Sequence, residues 1–153
     1  MDVKWVDHFK LLGIEIDNKL EKLNINFDKA YAKAQNIISN WKARKLPING
    51  RIIISKSLVV SQFNYVASII PPPPAMLKKM QDLLNNFIRG GNHHWVSDER
   101  LYAPTKLGGL NCIELDSFFK SLQLNWIKRY IKDKFVDFWT NLLDDIFGFT
   151  PDP

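Results

Sequence analysis

The sequence predicts a mainly α-helical fold with a β-hairpin at its N-terminus. Three observations predict it. Apolar residues recur at three- and four-residue steps through most of the chain. Proline and glycine pairs punctuate those runs at helix-length intervals. The β-rich runs are confined to residues 1–17. Apolar residues make up 46% of the 153, enough to build a real core. The expected organisation is a hairpin over 1–17, an antiparallel three-helix bundle over 26–88, and a loop-rich connection region with two further helices over 92–147.

The hairpin comes from VKWV and FKLLGIEI, with Asp7-His8 as the expected turn and Gly13 as an expected bulge or close backbone approach. Two strands alone are marginal, so they must pack on the helices or belong to a larger sheet upstream. A polar connection follows. Asn26 is placed to cap the first helix, with Asp28 in its first turn. Phe27, Ala30, Tyr31, Ala34, Ile37, Ile38 and Trp41 mark its apolar face, and Lys29, Lys33, Asn36 and Asn40 the opposite one. Pro47 ends this helix, and Asn49 is placed to cap a second over about Gly50–Ala67. That helix is apolar almost all round, which marks it as central and buried. Its exception is a stripe of Ser57, Ser61, Asn64 and Ser68, expected to admit a neighbouring helix rather than a nucleic-acid strand.

Pro71–Pro74 form a stiff, polyproline-like connector. Met76, Leu77, Met80, Leu83, Leu84 and Phe87 give the third helix, ending at Gly90-Gly91. Residues 92–111 read as irregular, with turns at Ala103-Pro104 and Leu107-Gly108-Gly109. Leu115, Phe118, Phe119, Leu122 and Trp126 mark a fourth helix, extended by Ile127 and Ile131. Phe135 to Ile146 mark a fifth, before a frayed tail.

Charge is distributed unevenly. The net charge is +5, and no Asp or Glu occurs from Lys29 to Gln81. That span holds Lys29, Lys33, Lys42, Arg44, Lys45, Arg51, Lys56, Lys78 and Lys79. Such a run fits a polyanion partner or a solvated face. The single cysteine, Cys112, allows no internal disulfide and suits a reducing compartment. The charged N-terminus does not resemble a signal peptide. An intracellular protein, cytoplasmic or nuclear, with no membrane association and no secretion, is expected.

Motifs for catalysis are missing. Leu142-Leu143-Asp144-Asp145 resembles a metal-binding Asp pair, but it falls in a helical pattern without a third carboxylate on a neighbouring strand. His93, His94 and Cys112 lack the paired spacing of a zinc site. No phosphate loop, nucleophile elbow or HExxH helix occurs. No catalytic residue, metal ligand or cofactor is therefore expected in this chain. The candidate binding residues are Arg44, Lys45, Asn49, Gly50, Arg51 and Lys56. Arg51 stands in the first turn of the second helix, where a cation opposes the helix dipole by roughly 0.3–1 kcal/mol. A phosphate bound there would reverse that sign. Lys56 points away from Arg51 and would touch a different phosphate.

At these residues a family resemblance emerges. Phe9–Ile16 (FKLLGIEI), Asn26–Tyr65 with its specific run Gly50–Tyr65 (GRIIISKSLVVSQFNY), Pro72–Ile88 and Leu101–Leu115 (LYAPTKLGGLNCIEL), followed by NWIKRY at Asn125–Tyr130, resemble LINE-type, non-LTR retrotransposon reverse transcriptases. The resemblance covers about Phe9 to Tyr130. It implies that residues 26–88 are the thumb of an RNA-directed DNA polymerase, and that 92–147 are the connection after it. It implies that the hairpin, with Phe9, Leu12 and Gly13, borders the primer terminus at the palm–thumb junction. The expected partner is the backbone of an RNA–DNA or RNA duplex, with the missing fingers and palm portion as a second. The catalytic carboxylates and their Mg2+ would belong to that palm. Arg89 departs from the family pattern, which has an aromatic residue there. The alternative is a helical protein-interaction module derived from a retroelement fragment.

Overall fold

The computed structural model describes residues 7–19, 23–91 and 96–132, and the fold is mainly helical. β1 (His8–Leu11) pairs antiparallel with β2 (Ile14–Asp17), His8 opposite Asp17 and Leu11 opposite Ile14. The turn is Leu12-Gly13, not Asp7-His8. Both turn residues have positive φ, 48° and 87°, the geometry that matches the right-handed twist of paired strands. Gly13 therefore makes the turn and not a bulge. Asp7 lies at the open end, where its carbonyl accepts the Asn18 N–H at 3.1 Å. The VKWV run expected as a strand lies outside the described residues.

Helix α1 spans Asn24–Lys42 and buries Phe27, Ala30, Ala34 and Ile38, the face its periodicity marks. Asn26 does not cap it. The residue is buried, and its side chain reaches the hairpin instead. Asn26 Oδ1 accepts the Glu15 N–H at 2.8 Å, and Nδ2 donates to the Glu15 carbonyl at 2.9 Å and to Leu23 at 3.2 Å. An amide side chain thus docks β2 onto α1 by satisfying both polar groups of one strand residue. At the hairpin tip, the Tyr65 hydroxyl donates to the Leu12 carbonyl.

The second helix is not continuous. It runs as α2 (Ile48–Ile54), a π-helical turn (Ser55–Val59) and α3 (Ser61–Ile69), bent by 44°. The Val60 N–H bonds to the Ser55 carbonyl, five residues back, at 2.9 Å. The wider turn shifts the helical register and kinks the axis. Val59 and Val60, adjacent in sequence, are both buried as a result. Asn49 is not the cap. Pro47, extended at φ −64° and ψ 162°, holds that position, and its carbonyl accepts the Arg51 N–H. Among the described residues no single helix is long and apolar enough to cross a membrane. The bent pair passes on length and composition alone, and its Val59, Val60, Phe63, Val66 and Ala67 lie in the core.

After Ile70 the chain is extended through the prolines, and Pro74 is the first residue of α4 (Pro74–Arg89). Gly90 ends α4 in the left-handed region at φ 78°. Its N–H and that of Gly91 bond back to Asn86 and Phe87, the expected glycine cap. Short connectors at 43–47 and 70–73 stack α1, the bent α2–α3 pair and α4 as a three-helix bundle.

The connection is more ordered than its sequence pattern predicts. Ser97 caps the short α5 (Asp98–Tyr102), and a 3-10 turn covers Thr105–Leu107. The chain then folds back: Leu110, Asn111 and Cys112 donate to Arg100, Ala103 and Leu101. A Cβ at Gly109 would collide with the Ala103 carbonyl. α6 (Leu115–Lys132) closes the described chain. The fifth helix expected at Phe135–Ile146 lies outside the described residues.

Two apolar clusters result. The larger joins Ile14 of the hairpin to α1, α3, α4 and α6 around Phe27, Phe63, Met80, Leu84 and Phe119. The smaller holds Ile52, Ile88, Val96, Leu101 and Cys112, and fixes the connection to α2 and α4. Gln81 on α4 bridges toward α6. Its Oε1 accepts the Leu115 N–H at 2.8 Å, one of the amides a helix start leaves without an intrahelical partner. The neighbouring-helix expectation for the serine stripe holds at one end only. Trp126 of α6 donates to the Ser68 carbonyl at 2.9 Å, while Ser57 and Ser61 are exposed and bond to their own helix.

Candidate nucleic-acid interface

The end of α1, the start of α2 and the end of α4 meet at one corner. A cleft of about 230 Å³ opens there, lined by Trp41, Lys42, Lys45, Arg51, Gly90 and Gly91 among others. The described lining carries three cations and no acid. Arg44 lies beside it, its guanidinium stacked 4.4 Å above the Trp41 ring, a cation–π contact that holds the charge at the rim. Lys45 has φ 44°, an unfavourable conformation for a residue with a side chain. Arg44 and Lys45 are both exposed.

Arg51 is engaged differently from what its position in the first turn of α2 suggests. Its Nε donates to the Leu46 carbonyl at 2.9 Å and its Nη1 to the Ile88 carbonyl at 3.2 Å. It thereby ties the α1–α2 loop to the C-terminus of α4, where a cation complements the helix dipole. Its guanidinium is thus held by one loop carbonyl, Leu46, and one α4 carbonyl, Ile88. A Cβ on Gly90 would strike the guanidinium, so the glycine also makes room for it.

The other candidates divide. Asn49 is exposed on the first turn of α2 and Gly50 is half-buried. Lys56 stands away from the cleft, close enough to Cys112 to act on its charge, as Arg89 also does. Burial pushes the Cys112 thiol above its ordinary range, against the pull of those two cations. Arg89 itself is buried on α4 and pairs with Asp98 of α5. Phe9, Leu12 and Gly13 are exposed on the hairpin, at the other end of α1. From Asn26 to Trp41 the helix rises about 22 Å at ~1.5 Å per residue.

Between these ends, α1 presents Lys29, Lys33, Asn36 and Asn40, all exposed. Lys29 donates to Glu15 of the hairpin, which also meets His8 at 3.3 Å. The Lys29 hydrogen bond holds the Glu15 carboxyl below the usual carboxylate range, helped by the charges of Lys29, His8 and Lys10 and opposed by desolvation.

Among the described residues no three His, Cys, Asp or Glu side chains gather as a metal site. His93, His94, Asp144 and Asp145 lie outside the described residues. The sequence reading missed Trp41 as part of this surface. Its signal was the Trp-x-x-Arg spacing of Trp41 and Arg44, which sets the two side chains together near a helix end.

No family model matches the chain, and no solved structure matches it. The chain is 28% identical over 133 residues to a 149 kDa protein of transposon TX1 from Xenopus laevis. That match covers 85% of this chain and 10% of the transposon protein. The chain thus spans about a tenth of that relative's length, and the similarity supports a transposable-element origin.

Proposed function

We propose that this chain is the template–primer-gripping part of a LINE-type, non-LTR retrotransposon RNA-directed DNA polymerase: its thumb and the connection after it, without catalytic power of its own. One observation carries the reading. The acid-free span folds into an exposed track along α1, through Lys33, Asn36 and Asn40, that leads to Arg44, Lys45 and the cationic cleft. The sequence resemblance and the transposon relative support it.

In this reading the backbone of an RNA–DNA hybrid lies along α1. The cleft holds one stretch of phosphates and the hairpin faces the primer end. The rise of about 22 Å along α1 between Asn26 and Trp41 is the length of several nucleotide steps of a duplex. Contacts go to phosphate, so binding depends on charge and duplex shape more than on base sequence. Arg51 serves by fixing the cleft wall, and Lys42, Arg44 and Lys45 meet the ligand. Mg2+ and the carboxylates that hold it belong to a palm portion outside this chain. The site of action is the cytoplasm or the nucleus.

The test is fluorescence anisotropy with labelled RNA–DNA hybrids of unrelated sequence at low salt. We expect affinities that agree within about threefold between sequences, as backbone contacts require. Absence of binding at low salt would remove the reading. It would favour the second one, a protein-interaction module derived from a retroelement. The observation behind that alternative is the exposure of Leu124, Ile127 and Ile131 on α6.

A further inference from the structure

The second half of α6 carries a feature that duplex gripping does not use. A groove of about 490 Å³ lies between α6 and the end of α3, lined by Ser68, Asn125, Trp126, Lys128, Arg129 and Lys132 together with Leu122. Its described lining holds three cations and no carboxylate. It shares no residue with the cleft at the end of α1.

Trp126 is the one aromatic residue in the groove's described lining. Its side chain is pinned by the edge, the indole N–H donating to the Ser68 carbonyl at 2.9 Å. That carbonyl is near the C-terminus of α3, where helix carbonyls lack intrahelical partners. The neighbouring Ala67 carbonyl accepts from Gln123 at 3.1 Å. Two neutral donors thus serve the end of α3, so the nearby cations are not required for that purpose. With the indole edge held, Trp126 is still 47% exposed. Arg129 stands over the ring at 5.5 Å.

A ring held at its edge, nearly half exposed, with Arg129 over one face and Lys128 and Lys132 in the same groove, matches a definite ligand chemistry. An unpaired base can stack on the indole while the adjoining phosphates meet Lys128, Arg129 and Lys132. The interior of a duplex cannot use the ring, because its bases are already stacked on both faces. We propose that the α6 groove is a second nucleic-acid site, and that it takes a single-stranded stretch. The site is independent of the duplex reading.

The experiment uses the full chain with two probes, a labelled oligothymidylate strand and a labelled RNA–DNA hybrid. Base stacking on an aromatic side chain contributes roughly 1–3 kcal/mol, so Trp126→Ala should weaken single-strand binding about fivefold or more. Trp126→Phe, which keeps a ring, should lose less than about threefold, and the hybrid should be held within about twofold by both variants. The exposed pair Lys128→Ala with Lys132→Ala provides a second test that leaves the indole in place. It should flatten the single-strand log–log salt slope by roughly 1.4, at about 0.7 for each phosphate contact. Single-strand affinity unchanged in Trp126→Ala and in the lysine pair overturns the proposal. So does an equal loss on both probes. Displacement of oligothymidylate by poly-aspartate that is as strong in Trp126→Ala as in the wild type would also overturn it, because the groove would then read charge without the ring.

Discussion

Asn26 joins two elements through one side chain. Its amide satisfies both the N–H and the carbonyl of Glu15, eleven residues earlier. Replacing it with alanine leaves those groups unpaired in a part-buried site, at a cost of about 2 kcal/mol. Asn26→Ala should therefore lower the urea midpoint and speed hydrogen exchange at the Glu15 amide. Exchange that stays slow would show that the hairpin is held by something else. Nothing local in the sequence separates this asparagine from an ordinary N-cap, because its partner is on another element. Gly109 has the same character. The glycine pair signals a turn, and Gly108 takes the left-handed conformation. Gly109 is needed for a different reason, the close approach of the Ala103 carbonyl. Gly109→Ala should cost about 3 kcal/mol or more, because backbone and not a flexible side chain must move. Urea unfolding checks it. Arg51 shows the limit of a dipole argument made on one helix. The C-terminus of α4 answers its charge, so its removal would change folding as well as binding.

At the scale of elements, the helices were legible because their apolar spacing is strong and their punctuation is proline and glycine. α1, α4 and α6 follow the pattern to within a few residues. The hairpin was legible as an element but not in its turn. Leu12 is an uncommon residue at positive φ, and only the pairing register identifies Leu12-Gly13. The break inside the second helix left no composition signal. It coincides with the burial of two residues adjacent in sequence, Val59 and Val60. The hairpin also carries a pH dependence. The folded pKa of Glu15 is depressed by Lys29, so its contribution is present above the ordinary carboxylate pKa and is lost as pH falls through the lower, folded value. Hydrogen exchange at Glu15, corrected for its intrinsic pH dependence, should accelerate in that acidic window and not between pH 6 and 8. Lys29→Met should shift the onset to higher pH.

For the whole molecule, the claim is that a bundle with an acid-free span holds a nucleic-acid backbone. The sequence made the charge visible, but not which cations stay available to a ligand. Lys29 and Arg51 are engaged within the protein, while Arg44 and Lys45 are exposed at the rim of the cleft. Lys45 gives an unusual test because its backbone is strained. Lys45→Gly should raise stability by up to about 1 kcal/mol while weakening hybrid binding. Opposite signs from one substitution separate a ligand contact from a folding defect. The most direct measurement is the salt dependence of RNA–DNA hybrid affinity for the wild type and for Arg44→Ala combined with Lys45→Gly. Two lost phosphate contacts should flatten the log–log slope by roughly 1.4–1.8, with the folded state intact by urea unfolding. An unchanged slope, or a wild-type chain that fails to bind the hybrid at low salt, would contradict the claim.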